Sequence, residues 1–226
     1  MNNELLSQLI DKGILQLGVW ETIYLTFIPA VFAYLFGIPL GILLSVTDKG
    51  GIHPIPWLNK IIGLIVNIFR SIPFVILMIA VLPVAKFVVG TALGNKAMIV
   101  TLIIAAVPYV ARMVESSIKE VDSGVIEAAQ AMGTSSIKIV FKVLIPEAKP
   151  SLLVGAVISL VTILGYSAMA GTIGGGGLGM IAINFGYQRF NDEIIWICVL
   201  LTVIVVQIIQ EVGMFIARKT DKRISK

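Results

Sequence analysis

The sequence predicts an all-α, polytopic membrane protein with five transmembrane helices, and three observations predict it. Hydrophobic residues make up 58% of the 226 and charged residues only 13%, with a mean hydropathy of +0.99, outside the balance of soluble domains. The apolar residues come in runs of about 20, the length at which a helix crosses a hydrocarbon core. The longest polar interval, residues 112–150, lies between two of those runs, as a loop on one side of a membrane does. One membrane domain is expected over residues 1–226, with a short external interfacial segment at 1–18, a cytoplasmic loop at 112–150 and a basic cytoplasmic tail at 218–226.

Residues 1–18 lack the pattern of a signal peptide: acidic residues precede a weak apolar face and no small-residue cleavage site follows. Leu5, Leu6, Leu9 and Ile10 share a face and predict a short interfacial helix. The first span is expected from Trp20 to Val46, with Trp20 and Tyr24 at the headgroup boundary and bends at Pro29 and Pro39. After the turn-rich loop TDKGGIHPIP, residues 57–90 are too long for one straight crossing. The pattern breaks at Arg70-Ser71-Ile72-Pro73, so a surface helix over Trp57–Phe69 should lead through a kink into a span from Ile72 to Val89. Arg70 reads either as a functional charge or as a snorkelling helix-end residue. The third span runs from Ala97 to Val114 with a bend at Pro108, the fourth from Pro150 to Gly171 and the fifth from Ile194 to Ala217.

Charge sets the orientation. The side holding the 47–60 loop, the 112–149 loop and the tail carries 12 Lys and Arg; the other side carries Lys12, Lys86, Lys96 and Arg189, which is 4. Positive charge favours the cytoplasm, so the N-terminus is expected outside and the C-terminus inside. The net charge of +4 is scattered over loops, which argues against nucleic-acid binding. His53 has no nearby His or Cys to complete a metal site, and the lone Cys198 excludes a disulfide within the chain.

The polar interval reads as two short helices and a hinge. Ser123 can cap a helix over Gly124–Met132, with Glu127 near the positive end of its dipole. Gly133 sits where a left-handed residue is needed, and Thr134, Ser135 and Ser136 offer caps for the next helix. That helix should present Ile137, Val140, Phe141 and Leu144 on one side and Lys138 and Lys142 on the other, until Pro146 and Pro150 stop it and restart the chain. The residues alone leave two readings, a docking knuckle or an amphipathic linker on the headgroups.

On the fourth span Gly155, Ser159, Thr162, Tyr166 and Met169 share one face, while Val157, Val161, Leu164 and Ala168 lie largely away from it. A polar stripe has no use for lipid; it serves either close helix packing or a gate along a translocation path against a second copy of the chain. The following GTIGGGGLG contains GxGxxG spacing, but an apolar helix precedes it where a dinucleotide site needs a strand. No Walker lysine follows any glycine loop, so the chain is not expected to hydrolyse nucleotide.

Glu127-Ala128-Ala129, Gly133 after three more residues, and Val143-Leu144-Ile145-Pro146 resemble the EAA loop of bacterial ABC-importer permeases. The wording NIFRSIPF (67–74), PYVARMVE (108–115), GYSAMAGTIGGGGLG (165–179) and GYQRF (186–190) is similar to methionine-importer permeases, over nearly all of the chain after Trp20. The resemblance implies a type I ABC-importer permease fold and a non-catalytic subunit that couples to its ATPase through Glu127, Ala128, Ala129, Met132, Gly133 and Pro146. It also implies a homodimer in the bacterial inner membrane, two ATP-binding subunits that hold ATP-Mg, no cofactor on this chain, and an external lipid-anchored substrate-binding protein. The expected function is ATP-driven methionine import by alternating access. The alternatives are a permease for another small amino acid or organic ion, or a self-contained secondary transporter, whose internal repeats and mid-span charges the sequence lacks.

Overall fold

Inside a bilayer a chain must satisfy its own backbone, and this one does so with helices. The computed structural model describes residues 2–220. Its α-helices are α1 (Asn2–Asp11), α2 (Ile14–Thr47), α3 (Pro56–Ser71), α4 (Phe74–Val89), α5 (Asn95–Lys119), α6 (Ser123–Ala131), α7 (Ser136–Ile139), α8 (Ile145–Ala170), α9 (Leu178–Ile181) and α10 (Asp192–Thr220). Two π-helical stretches, Val140–Leu144 and Ala182–Tyr187, precede α8 and follow α9. Among the described residues four segments are long and apolar enough to cross a membrane, and the broken pair α3 and α4 makes up to five.

Several boundaries differ from expectation. The first long helix begins at Ile14, not Trp20, and continues without a break through Pro29 and Pro39. α5 likewise continues through Pro108. Residues 57–90 form two helices bent by 111° at Ile72-Pro73, within the expected break, with the second starting at Phe74 rather than Ile72. The side chains of Leu5 and Leu6, and the tail residues Lys222, Arg223 and Lys226, lie outside the described residues.

The chain divides into two compact units. The first comprises residues 1–32, 72–106 and 160–210. Leu25, Met78, Met98 and Leu102 form one of its cores, with Tyr24, Phe74 and Tyr166 packed against it. A second core joins Leu9 and Leu15 to Leu178, Ile181, Ile194 and Cys198. α1 is therefore anchored by Leu9 rather than simply laid on a surface, while Ile10 stays half-exposed.

The second unit comprises residues 33–71, 107–159 and 211–226. Gly37 and Gly41 stand one turn apart on α2, and a side chain on either would strike Val110 or the Ala111 carbonyl and Val114 of α5. A small-xxx-small pair thus brings two backbones together, as apolar helices require where hydrophobicity alone cannot drive association. Gly213 of α10 receives Val157 of α8 in the same way.

Candidate functional site

The polar segment begins with a cap one residue earlier than expected. Asp122, not Ser123, is the N-cap of α6, its carboxylate accepting the Gly124 N–H at 2.8 Å. The helix ends in a left-handed Gly133 with φ 72°. Gly133 N–H donates to the Gln130 carbonyl and Thr134 N–H to the Ala129 carbonyl, the paired closure of a Schellman motif. Ser135 holds the N-cap position of α7, yet no side chain caps it.

Pro146 and Pro150 do not interrupt the chain as expected. α7 runs into the π-helical Val140–Leu144 and on into α8, with Pro150 inside that helix. The wider turn leaves room before Pro146, whose ring would crowd the carbonyl four residues earlier in a regular helix. It also turns the faces apart. Ile139, Val140 and Leu144 are buried, while Ile137 and Phe141 are 73% and 66% exposed. The expected single apolar face of Ile137, Val140, Phe141 and Leu144 is therefore two faces.

The motif residues divide likewise. Ala129 is buried, whereas Glu127, Ala128, Gly133 and Pro146 are exposed and Met132 is 77% exposed. Buried Ala129 fixes α6 to its unit while Glu127, Ala128 and Met132 face outward. Ile137 and Phe141 are exposed as well, so the segment presents apolar side chains alongside Glu127 and the exposed Lys138 and Lys142. A cavity of about 500 Å³ lies beside α6, lined by Asp48, Gly51, Lys119, Glu127, Gln130 and Leu144 among others.

A charged network sits beside this segment. Glu115 of α5 is 6% exposed and accepts from Arg112 Nη1 at 2.6 Å and from Lys119 Nζ at 2.9 Å. Arg112 Nη2 donates to Asn67 Oδ1 at 2.8 Å and to the Gly63 carbonyl at 3.3 Å. Lys119 also pairs with Asp48 at 2.6 Å. That hydrogen bond holds the Asp48 carboxyl below its ordinary pKa. Ser151 near the start of α8 donates to Glu120 Oε2 at 2.7 Å, and its oxygen can accept from the Ser117 hydroxyl at 3.2 Å.

The residues expected to form a gate do not form one exposed stripe. Ser159 is fully buried, donating to the Gly155 carbonyl and accepting from Tyr34 at 3.1 Å. Thr162 is half-buried. Tyr166 stacks on Phe74 with ring centroids 4.2 Å apart. Met169 is half-exposed. Leu164, placed away from the stripe, packs against Val205 and Ile209.

The glycine loop is held by polar side chains. Glu21 accepts the Gly177 N–H at 2.7 Å and the Asn95 amide at 2.8 Å. Asn95 Oδ1 accepts the Gly176 N–H at 2.6 Å, and its amide also donates to the Tyr24 hydroxyl. Thr22 Oγ1 accepts the Leu178 N–H at 2.9 Å. Gly174 and Gly177 have φ of 89° and 91°. These glycines serve close packing and backbone geometry, with side-chain acceptors where a nucleotide site would present free N–H groups.

Sequence reasoning passed over Glu21, Asn95 and Glu115. The available signal was an acid at the end of an apolar run, which is costly unless paired. Arg70, which reads in the sequence as either a functional or a snorkelling charge, is exposed in the last turn of α3. Among the described residues no group of three His, Cys, Asp or Glu could hold a metal ion, and His53 is exposed in its loop.

Long apolar helices joined through an exposed polar segment define a polytopic membrane protein. The chain belongs to the family of binding-protein-dependent transport system inner membrane components, whose model matches residues 37–226. It is 45% identical to the probable D-methionine transport system permease protein MetI of Vibrio cholerae, over 95% of each chain. It is 44% identical to the methionine import system permease protein MetP of Bacillus subtilis, over 95% of this chain and 96% of that one. It matches a chain of the MetNI methionine ABC transporter, solved in inward-facing conformations, at a TM-score of 0.91 and 44% identity, over 92% of this chain and 97% of that one. The fold is thus that of a type I ABC-importer permease, a multi-pass inner-membrane component.

Proposed function

We propose that this chain is the membrane-spanning permease of an ATP-driven methionine importer. Two copies form the translocation path, and two ATP-binding subunits on the cytoplasmic side hold ATP-Mg and hydrolyse it. The substrate class rests on relatives that share more than two-fifths of its residues and are named for methionine transport. An external, lipid-anchored substrate-binding protein delivers the amino acid, and the N-terminus lies outside.

The observation that carries the reading is the shape of the EAA segment. Gly133 folds the chain back through a Schellman closure, and Met132, Ile137 and Phe141 stand exposed on a polar loop. Apolar side chains that project from a charged loop gain by burial in a partner's cleft, at about 25 cal/mol per Å² of apolar area. Closure of the ATP-binding pair draws the two segments together, and the membrane helices rock as rigid bodies between outward and inward access. Thr162, Tyr166 and Met169 line the path where the two copies meet, and Ser159 packs behind it.

The test is cross-linking. Cysteines at Ile137 and Phe141, in a Cys198→Ser background, should cross-link to the ATP-binding subunit in the assembled complex. A cysteine at Ile139, which is buried, should not. Equal labelling of all three, or none, contradicts the docking surface.

A further inference from the structure

Glu115 is a buried carboxylate clamped between two cations on one face of α5, three and four residues away. The cluster does not end there. Arg112 carries it to Asn67 and the Gly63 carbonyl of α3, and Lys119 carries it to Asp48 just beyond α2. Glu120 and Ser117 add a link to Ser151 near the start of α8. Lys119 is the last residue of α5, and Asp122, the cap of the EAA helix, follows shortly after it. α5 and α8 are thus fastened to each other and to α3 where the polar segment leaves one and enters the other.

We propose that the Glu115-centred network is the strut that passes movement of the EAA segment to α3 and to the end of α2, with Glu115, Arg112 and Lys119 as positioning residues for coupling. This rests on the reading of that segment as the docking element for an ATPase. Buried ionic clusters contribute little net stability over apolar packing, but they fix one geometry. Charge-assisted bonds of 2.6–2.9 Å are stiff and directional, whereas apolar contacts slide. Transmission by rigid-body motion needs stiffness at the junction where the moving segment joins its helices.

The experiment measures methionine imported per ATP hydrolysed by the complete complex in lipid vesicles. Glu115→Gln keeps the shape and removes the charge, and should lower that ratio about tenfold while ATP hydrolysis continues. Glu115→Asp should recover part of it. Asp48→Asn and Asn67→Ala, at the two exposed ends, should each lower the ratio about threefold in complexes that assemble normally. Unchanged ratios at both ends, or uptake and hydrolysis falling together in proportion to folded complex, would overturn the strut. Gly133→Val separates the two claims. Parental coupling in that variant overturns the docking reading itself. Its uncoupling, beside normal ratios in the network variants, overturns the strut alone.

Discussion

The carboxylate of Glu21 accepts the backbone N–H of Gly177 at 2.7 Å across 156 residues of sequence. Its other oxygen accepts from Asn95, so one acid near the start of α2 organises both the beginning of α5 and the glycine loop. Glu21→Gln places an amide donor against one of two donors, and should cost about 1–3 kcal/mol of stability. The check is thermal unfolding in detergent, with Glu193→Gln, exposed in the first turn of α10, expected to change little.

Glycine is needed in the loop but not at every position of the helix that leads into it. A Cβ on Gly179 would strike the backbone of Ala168, and one on Gly176 the Glu21 carboxylate, whereas Gly165 has open space. Gly179→Ala should therefore destabilise by about 1–3 kcal/mol because backbone cannot move aside. Gly165→Ala should be neutral or slightly stabilising, since alanine favours a helix by ~1 kcal/mol. The comparison of the two melting temperatures tests this.

Gly133 has room for a side chain but a left-handed φ of 72°. Gly133→Ala should cost about 1–2 kcal/mol locally, and Gly133→Asn less, because asparagine tolerates that region. Coupling of hydrolysis to uptake should follow the same order, parent, Asn, Ala. Measuring that ratio in reconstituted complexes decides it.

Asp48 makes a small and signed contribution. Its folded pKa lies below the ordinary 3.8 because Lys119 bonds to it. The stabilisation is then present above the unfolded value and is lost as pH falls through the folded one. The pair is partly exposed, with side chains 46% and 37% accessible, so its worth is about 0–1 kcal/mol. The stability gap between parent and Asp48→Asn should close as pH drops below about 4, and high salt should narrow it at neutral pH.

Tyr166 and Met169 separate packing from transport. Leu164→Ala removes a fully buried side chain and should cost about 2–5 kcal/mol. Met169 is half-exposed, so Met169→Ala should leave stability nearly unchanged while altering uptake or leak. Tyr166→Ala loses the stack on Phe74 and should change both. Transport that merely tracks folded protein in all three contradicts a gate.

Much of this architecture was legible in the sequence because its signals are local. Apolar run length marked the long helices, and Gly133, next to serine and threonine, marked the turn of the polar segment. Asp122 and Ser123 are both good caps in adjacent positions, and only the bond to Gly124 N–H separates them. Pro146 and Pro150 read as stops because the π-helical turn before them has no sequence signature. Glu21 and Asn95 escape a sequence reading because their partners lie far along the chain, whereas the partners of Glu115 stand only three and four residues away and what spacing does not show is its burial. Helical spacing leaves Ser159 open to either packing or a gate, because it reports which residues align and not that Tyr34 covers this one.

The central claim is tested most directly by methionine uptake into sealed vesicles containing this chain, alone or with its ATP-binding subunit. Uptake should require both the ATP-binding subunit and Mg-ATP, and should be insensitive to an imposed ion gradient. Uptake by this chain alone, driven by a proton or sodium gradient, would contradict the importer reading.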